Sequence, residues 1–239
     1  MNTEERTLRR APGEGLKDRL SYLRVRVKSR LLNQCGFYRE LHGMTVTTDT
    51  VNGSSATVDD DYTCRFMAAD ELRQIADDEV YLMSSEFIED ALARGDRCYG
   101  IFDGDKLASY GWYTSTGPNQ FNEELEIVFD PGWVYMYRGY TLPEYRGQKL
   151  HAAGMSRALA AVTAEGQEGL ISCVDGLNGP SLRSCARMGY RIFGSVKVCR
   201  WFAAEWVRLG PLSRYRVQAS GDCNLFGFDV IAGQSASVR

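Results

Sequence analysis

The stretch Tyr140-Thr-Leu-Pro-Glu-Tyr-Arg-Gly-Gln-Lys-Leu-His151 decides the fold, because it predicts a strand that ends at a proline and turns through Arg-Gly into a helix. The first turn of any α-helix has backbone N–H groups with no partner inside the helix, and the helix dipole favours an anion beside them. A phosphate or pyrophosphate is therefore the natural ligand for this stretch. The same order of elements also occurs as plain scaffold, so both interpretations stay open.

A second stretch, Asn178-Gly-Pro-Ser-Leu-Arg-Ser-Cys-Ala-Arg-Met-Gly-Tyr190, predicts a helix with both of its ends marked. Ser181 is expected to cap the N-terminal end, and Gly189 fits the left-handed position that follows the last helical residue. Taken alone, the stretch indicates no more than a well-capped helix.

Together and in this order, the two stretches resemble the GNAT superfamily of acyl-CoA N-acyltransferases. The family's cofactor segment reads roughly V-x-P-x-x-[RQ]-x-x-G-x-[GA], and its later segment reads N-x-x-[AS]-x-x-x-Y-x-[KR]-x-G-[FY]. The residues that match the two segments are Thr141, Pro143, Arg146, Asn178, Ser181, Arg187, Gly189 and Tyr190. The resemblance covers residues 62–202.

The resemblance implies an α/β fold of GNAT type, with a strongly twisted mixed β-sheet flanked by helices and an N-terminal helical extension. Two strands, expected at 133–142 and 169–174, should splay apart and admit the pantetheine arm of acyl-CoA. The pyrophosphate would lie on the backbone amides of residues 147–152. The implied cofactor-binding residues are Tyr140, Thr141, Leu142, Arg146, Gly147, Gln148, Lys149, Leu150, His151, Ala152 and Asn178.

The activity implied by the resemblance is that of an N-acetyltransferase, in which a primary amine attacks the thioester of acetyl-CoA or another acyl-CoA directly. A small-molecule amine is the expected acceptor, and Tyr135 and Tyr137 are expected to line its pocket. The sequence does not identify the general base, although Glu124 and Glu126 lie just upstream. The sequence is also compatible with a homodimer.

The chain departs from the family pattern at three positions. Lys149 and His151 replace two glycines of the phosphate loop. Lys149 either adds a charge-assisted bond to a phosphate or points into solvent, and His151 is expected to be a spacer. Cys185 occupies the place of a tyrosine that protonates the leaving CoA thiolate in the family, and it is either the general acid or an inert helix residue.

These departures keep two other functions open. An acyltransferase that uses an acyl-carrier protein has a donor without the adenosine diphosphate moiety, so its loop could change. A catalytically silent binding module of GNAT type would need neither the tyrosine nor the glycines.

The amino-acid composition narrows the functional classes to which the protein can belong. The net charge of −3 argues against a general nucleic-acid binder. Seven cysteines without a C-x-x-C pair, together with only two histidines, argue against structural zinc and favour the reducing cytoplasm. No apolar stretch reaches the ~20 residues of a membrane span, and the first residues lack a signal-peptide pattern.

The chain divides into three predicted parts. The first part is an N-terminal extension, residues 1–61, with an amphipathic helix over about 16–32 and a polar linker. The second part is the core, residues 62–202. The third part, residues 203–239, completes or flanks the sheet. The apolar stripe of that helix is expected to pack on the core or on a partner subunit. Its basic face is either solvated or a surface for an acidic carrier, lipid headgroups or RNA.

Periodicity and turn signals predict the elements of the core. The expected helices are 69–76, 85–93, 151–164 and 181–188. The expected strands are 62–66, 98–102, 106–114, 125–129, 133–142, 169–174, 190–202 and 224–231, with a loop at 115–123.

Overall fold

The structure is a computed structural model that describes residues 27, 37–53, 61–116, 119–122, 125–201, 204–209 and 216–219. Its helices are α1 (Ala69–Gln74), α2 (Ser85–Ala93), α3 (Leu150–Ala164) and α4 (Gly179–Met188). Its strands are β1 (Phe37–Val46), β2 (Tyr62–Phe66), β3 (Arg97–Asp103), β4 (Lys106–Thr114), β5 (Asn119–Asn122), β6 (Leu125–Val128), β7 (Trp133–Thr141), β8 (Gly169–Asp175), β9 (Arg191–Trp201), β10 (Ala204–Leu209) and β11 (Arg216–Ala219).

Eight of these strands form one mixed sheet in the order β10-β9-β1-β8-β7-β4-β3-β2. Neighbouring strands run antiparallel except for β7 and β8, which are parallel. A parallel pair needs a crossover connection, and α3 supplies it. The strands β11, β6 and β5 form a separate small sheet.

Helices cover both faces of the large sheet. Successive side chains of β3 and β4 point to opposite faces, so these two strands contribute to the cores on both sides. On one face, Cys98 and Trp112 pack with the buried side chains of α1 and α2. On the other face, Tyr99 and Tyr113 pack with α3 and α4. The expected mixed sheet flanked by helices is confirmed.

Most predicted elements occur close to their expected bounds, but two expectations were wrong. Asn178, not Ser181, caps α4, because the Asn178 side-chain oxygen accepts a hydrogen bond from the Ser181 N–H at 3.2 Å. The segment 115–123, expected to be a loop, contains β5. The helix expected over 16–32 lies outside the described residues apart from Val27, and the strand expected over 224–231 lies wholly outside them.

A strand that the sequence did not signal lies inside the sheet. β1 pairs with β8 on one side and with β9 on the other. Its residues Leu41, Met44 and Val46 are buried. This strand belongs to the part of the chain expected to be an extension, and the domain bounds 1–61, 62–202 and 203–239 stay predictions.

The C-terminal end of α4 packs tightly on the segment that follows β1. Gly189 ends the helix with φ of +99°, and the N–H of Asn52 donates to the carbonyl of Met188 at 2.8 Å. A Cβ at Gly189 would lie 2.0 Å from the Thr50 carbonyl oxygen. Glycine is therefore required here twice, for its backbone conformation and for the close approach of Thr50.

We expect Gly189→Ala to lower the free energy of unfolding much more than Gly166→Ala does. Gly166 also has a positive φ, of +95°, but an added Cβ there meets nothing within 4 Å. Both variants carry the cost of alanine in a left-handed conformation, of order 1–3 kcal/mol. Gly189→Ala adds the cost of overpacking, about 1–3 kcal/mol more. Urea denaturation of both variants measures the difference, and equal losses would contradict the contact with Thr50.

Candidate functional site

The strands β7 and β8 separate after a short parallel pairing. They pair only at Trp133↔Gly169, Val134↔Leu170 and Tyr135↔Ile171, although β7 continues to Thr141 and β8 to Asp175. Within the described residues, the edge of β7 that faces β8 therefore has no strand partner from residue 136 onward. We call the space between residues 136–141 and 172–175 the cleft. Unpaired backbone groups along such an edge can pair with an extended ligand.

A β-bulge accounts for the separation. Opposite β4, Trp112 pairs with Arg138 and Tyr113 pairs with Met136, so Tyr137 is an extra residue in β7. A bulge bends its strand and increases the local twist, which carries β7 away from β8. It also shifts the alternation of side chains, so that Arg138 lies over the ring of Phe87 in α2.

Beyond the cleft, β7 leads directly into a loop with an unusual backbone. Pro143–Tyr145 form one turn of 3-10 helix, Gly147 has φ of +89°, and Lys149 has φ of +63° immediately before α3. No side chain caps the N-terminal end of α3. Alternating left- and right-handed residues beside a helix N-terminus direct backbone N–H groups to one point, as in anion-binding nests.

Hydrogen bonds from distant residues hold this loop against the β3–β4 hairpin and β2. The Tyr62 hydroxyl donates to Gln148 Oε1 at 2.6 Å, and the Tyr145 hydroxyl donates to Asp103 Oδ2 at 2.8 Å. Lys106 and Glu144 form an ion pair at 2.8 Å. No local sequence pattern identifies these partners, because each contact joins segments far apart in the chain.

The exposed positive charges of the loop come from Arg146 and Lys149. The Arg146 Nε donates to the Thr141 carbonyl at 3.2 Å, and its guanidinium lies 5.7 Å from the centre of the Tyr140 ring. Arg146 thus lies along the part of β7 where the pantetheine arm is expected. Leu142 and Leu150 are buried, so they fix the two ends of the loop.

His151 packs inward against β7. A Cβ at Gly139 would lie 2.6 Å from His151 Cε1, so the imidazole occupies the space that a side chain at Gly139 would need. Burial lowers the pKa of His151. His151 is therefore accommodated by a glycine on the facing strand.

The two tyrosines expected at the acceptor pocket lie in a row of aromatic rings at the start of the cleft. We call Phe87, Tyr137, Tyr135 and Phe129 the aromatic row. Successive ring centres are 6.4, 6.2 and 5.8 Å apart, and Tyr135 and Tyr137 are stacked. The side chains of Glu124 and Glu126 lie outside the described part of the chain.

Sequence reasoning missed Asp96, whose side chain is fully buried behind the aromatic row. The Tyr137 hydroxyl donates to Asp96 Oδ2 at 3.0 Å, and the same oxygen accepts from Arg94 Nε and Nη2 at 3.1 and 2.8 Å. Burial, followed by the charge of Asp96, raises the pKa of the Tyr137 phenol. In the sequence, Gly95-Asp96 indicated only the end of α2.

Cys185 lies on the buried face of α4, on the other side of the sheet from the aromatic row. Its side chain is 2% exposed and packs in the core with Met155 and Tyr190. Burial raises the pKa of its thiol to about 11, so the thiol stays protonated at neutral pH. Asn178, the other predicted residue of this segment, caps α4 as described above.

The fold and the cleft define a mixed α/β protein in which a parallel strand pair splays apart. The loop that follows β7 enters α3 with no side-chain cap on its first N–H groups. No protein-family model matches the chain, and no curated protein sequence matches it. Among the described residues, no group of three or more His, Cys, Asp or Glu could hold a metal ion. In the part of the chain that the structure covers, no helix has the length and apolar character to cross a membrane.

Solved structures similar to this chain include three acetyltransferases or acetyltransferase-like proteins. A GCN5-related N-acetyltransferase-like protein from Streptococcus suis is 10% identical, with a TM-score of 0.48 over 72% of this chain and 65% of its own. A GNAT-family acetyltransferase from Colwellia psychrerythraea is 10% identical, with a TM-score of 0.49 over 74% and 60%. A putative GNAT-family acetyltransferase from Novosphingobium aromaticivorans is 17% identical, with a TM-score of 0.44 over 67% and 62%. This chain thus spans less than two thirds of each of these proteins, and likeness at this level does not extend to substrate or activity.

We expect the stability of the protein to fall as the pH drops below about 6.5, and His151 to cause part of the fall. The folded state disfavours the His151 imidazolium, so the unfolded chain binds this proton at higher pH than the folded chain does. The loss continues until the pH reaches the lowered folded-state pKa. Urea denaturation at pH 7.5 and 5.5 should show a smaller decrease for His151→Gln than for the natural protein.

The chain has only two histidines, so NMR titration can check the same point directly. A His42→Gln variant leaves one imidazole signal, from His151, and that signal should titrate below 6.5. Titration at or above 6.5 would contradict the burial of His151.

Proposed function

We propose that this protein is an N-acyltransferase that moves an acetyl or other acyl group from acyl-CoA to a primary amine of a small molecule. The observation that supports it is the cleft, which starts at the Tyr135–Ile171 pair and leads along β7 to the uncapped N-terminus of α3. An extended pantetheine arm fits the unpaired edge of β7, and a pyrophosphate fits the N–H groups of the loop. One continuous path thus accommodates both parts of the cofactor.

In the proposed reaction the amine nitrogen forms a bond to the thioester carbonyl carbon. The carbon–sulfur bond breaks, the sulfur leaves with the bonding electron pair, and the nitrogen loses one proton. The sulfur takes up one proton to become the CoA thiol. Holding the amine and thioester together supplies much of the rate enhancement, because bimolecular attack becomes effectively intramolecular.

The proposal is tested by titrating the protein with acetyl-CoA in a calorimeter and then measuring thiol release with glucosamine, spermidine, tyramine, kanamycin and a short peptide with a free N-terminus. Binding together with amine-dependent thiol release supports the proposal. Binding without release for every amine favours a silent binding module. Release only from an acyl-carrier protein favours the carrier-dependent alternative, and absence of binding to either donor contradicts both enzymatic functions.

We expect Arg146→Glu to weaken acetyl-CoA binding at least tenfold, which corresponds to about 1.4 kcal/mol. The substitution replaces a cation at the loop with an anion, and it removes the hydrogen bond to the Thr141 carbonyl. Arg191→Glu is the matched control, because Arg191 is also exposed but begins β9. Equal affinities of the two variants in calorimetry would remove Arg146 from the cofactor site.

The proton of the leaving sulfur is assigned to Cys185 in this proposal. A buried, protonated thiol has the proton that a general acid must supply. Its burial also requires the CoA sulfur to approach the core closely. We therefore expect Cys185→Ala to lower the acyl-transfer rate about 100-fold.

The Cys185→Ala experiment needs a stability measurement beside the rate, because the side chain is part of the core. Cys185→Ser, which keeps a small hydrogen-bond donor, should retain more activity than Cys185→Ala. If Cys185→Ala is folded and keeps more than about half of the rate, then Cys185 serves packing alone and another donor protonates the sulfur.

A further inference from the structure

Tyr137 is the extra residue of the β7 bulge, and its hydroxyl group donates its hydrogen to one fixed partner. Its phenol has one hydrogen, which it donates to Asp96 Oδ2 at 3.0 Å. Its oxygen therefore offers only lone pairs to any further partner. Bulges beside functional sites commonly redirect a side chain, and this one places Tyr137 two residues beyond the last residue of β7 that pairs with β8.

Asp96 fixes the direction of this hydrogen bond from the buried side of Tyr137. The three hydrogen bonds of its side chain all converge on Oδ2, from Tyr137 and from two nitrogens of Arg94. Its other oxygen, Oδ1, is buried without a hydrogen-bond partner among the described residues. A buried carboxylate with one unsatisfied oxygen is costly to the folded state, so such a group is a candidate for a functional role.

Tyr137 is accessible where Asp96 is not. The side chain of Asp96 has no exposure, whereas Tyr137 is only partly buried and lies between Phe87 and Tyr135 in the aromatic row. The tyrosine is thus the member of the pair that a molecule entering the cleft would contact.

One arginine contacts this pair, and another contacts the neighbouring ring of Phe87. Arg94 is bonded to Asp96, and the Arg138 guanidinium lies 4.2 Å from the centre of the Phe87 ring while donating to the Leu82 carbonyl. The Arg94 cation offsets much of the charge of the Asp96 carboxylate, so the pair does not select an ammonium ion over an uncharged amine. An uncharged amine is the form that can attack a thioester.

We propose that the phenol oxygen of Tyr137 accepts a hydrogen bond from the attacking amine of the acceptor, and that Asp96 is the positioning residue that directs the phenol hydrogen away from it. This inference rests on the proposed acyltransferase function. The amine nitrogen gains positive charge as it bonds to the thioester carbon. The phenol oxygen, with the Asp96 carboxylate behind it, stabilises that charge more in the transition state than in the bound amine.

The test compares Tyr137→Phe, Asp96→Asn and the double variant, with hydroxylamine as a small amine that is uncharged at neutral pH. Each single variant should lower kcat for acetyl transfer about 10- to 100-fold, the value of one hydrogen bond to a charged network. KM for hydroxylamine should change much less than kcat, and the affinity for acetyl-CoA should not change. The double variant should be no slower than the slower single variant, because Asp96 acts through Tyr137.

Two substitutions that remove the same kinds of group elsewhere in the protein, a phenol hydroxyl and a carboxylate, serve as controls. Tyr99→Phe removes a buried phenol hydroxyl on the other face of the sheet, and Glu165→Gln removes an exposed carboxylate that pairs with Arg97. Both should keep the rate of the natural protein. Melting temperatures of all variants identify any loss of folding, and Tyr137→Phe, which keeps the ring in the aromatic row, decides the result if Asp96→Asn does not fold.

The outcomes separate this inference from the function on which it rests. If the natural protein acetylates hydroxylamine and the losses of the two single variants add in the double variant, or if Tyr137→Phe keeps its rate, the inference is wrong and the function stands. If the natural protein binds no acetyl-CoA, the proposed function is wrong and the inference is wrong with it. Losses that do not add, at unchanged acetyl-CoA affinity, support the inference.

Discussion

One extra residue in β7 governs the arrangement of the site. The bulge at Tyr137 bends the strand while β4 continues to pair with it, so β7 leaves β8 after three residue pairs. Because the bulge also shifts the alternation of side chains, Gly139 faces α3 and gives His151 its space. The cleft, the orientation of Tyr137 and the space for His151 at the start of α3 all depend on this single irregularity.

The sequence predicted the elements well where the signal is local. The Asp-Gly turn between β3 and β4, the proline at the end of β7 and the glycine at the end of α4 are all features of neighbouring residues. Two motifs about 30 residues apart were enough to imply the splayed strand pair. The bulge itself has no sequence signal, since Tyr-Met-Tyr-Arg in β7 is typical of an ordinary strand.

The rest of the site depends on contacts between distant segments. Asp96 follows α2, and in the sequence it marks only the end of that helix. Its hydrogen bond with Tyr137 depends on the register of β3, β4 and β7. Lys149 likewise looked like the loss of a glycine, yet its backbone adopts a left-handed conformation suited to one. The backbone shape of the loop thus persists without the residue that most easily forms it, at a cost in strain of order 1 kcal/mol or more.

The position of β1 has a consequence for the way the protein is made. This strand leaves the ribosome before the rest of the sheet, yet its partners β8 and β9 are among the last strands of the large sheet to be synthesised. Met44 pairs with Ser172, so the apolar side chains of β1 must wait for most of the chain before they are covered. Such non-local pairing slows folding and leaves an early strand open to wrong partners. The nascent chain is thus most vulnerable to aggregation in the interval before β8 emerges, and a chaperone that binds extended apolar segments would act on β1 during that time.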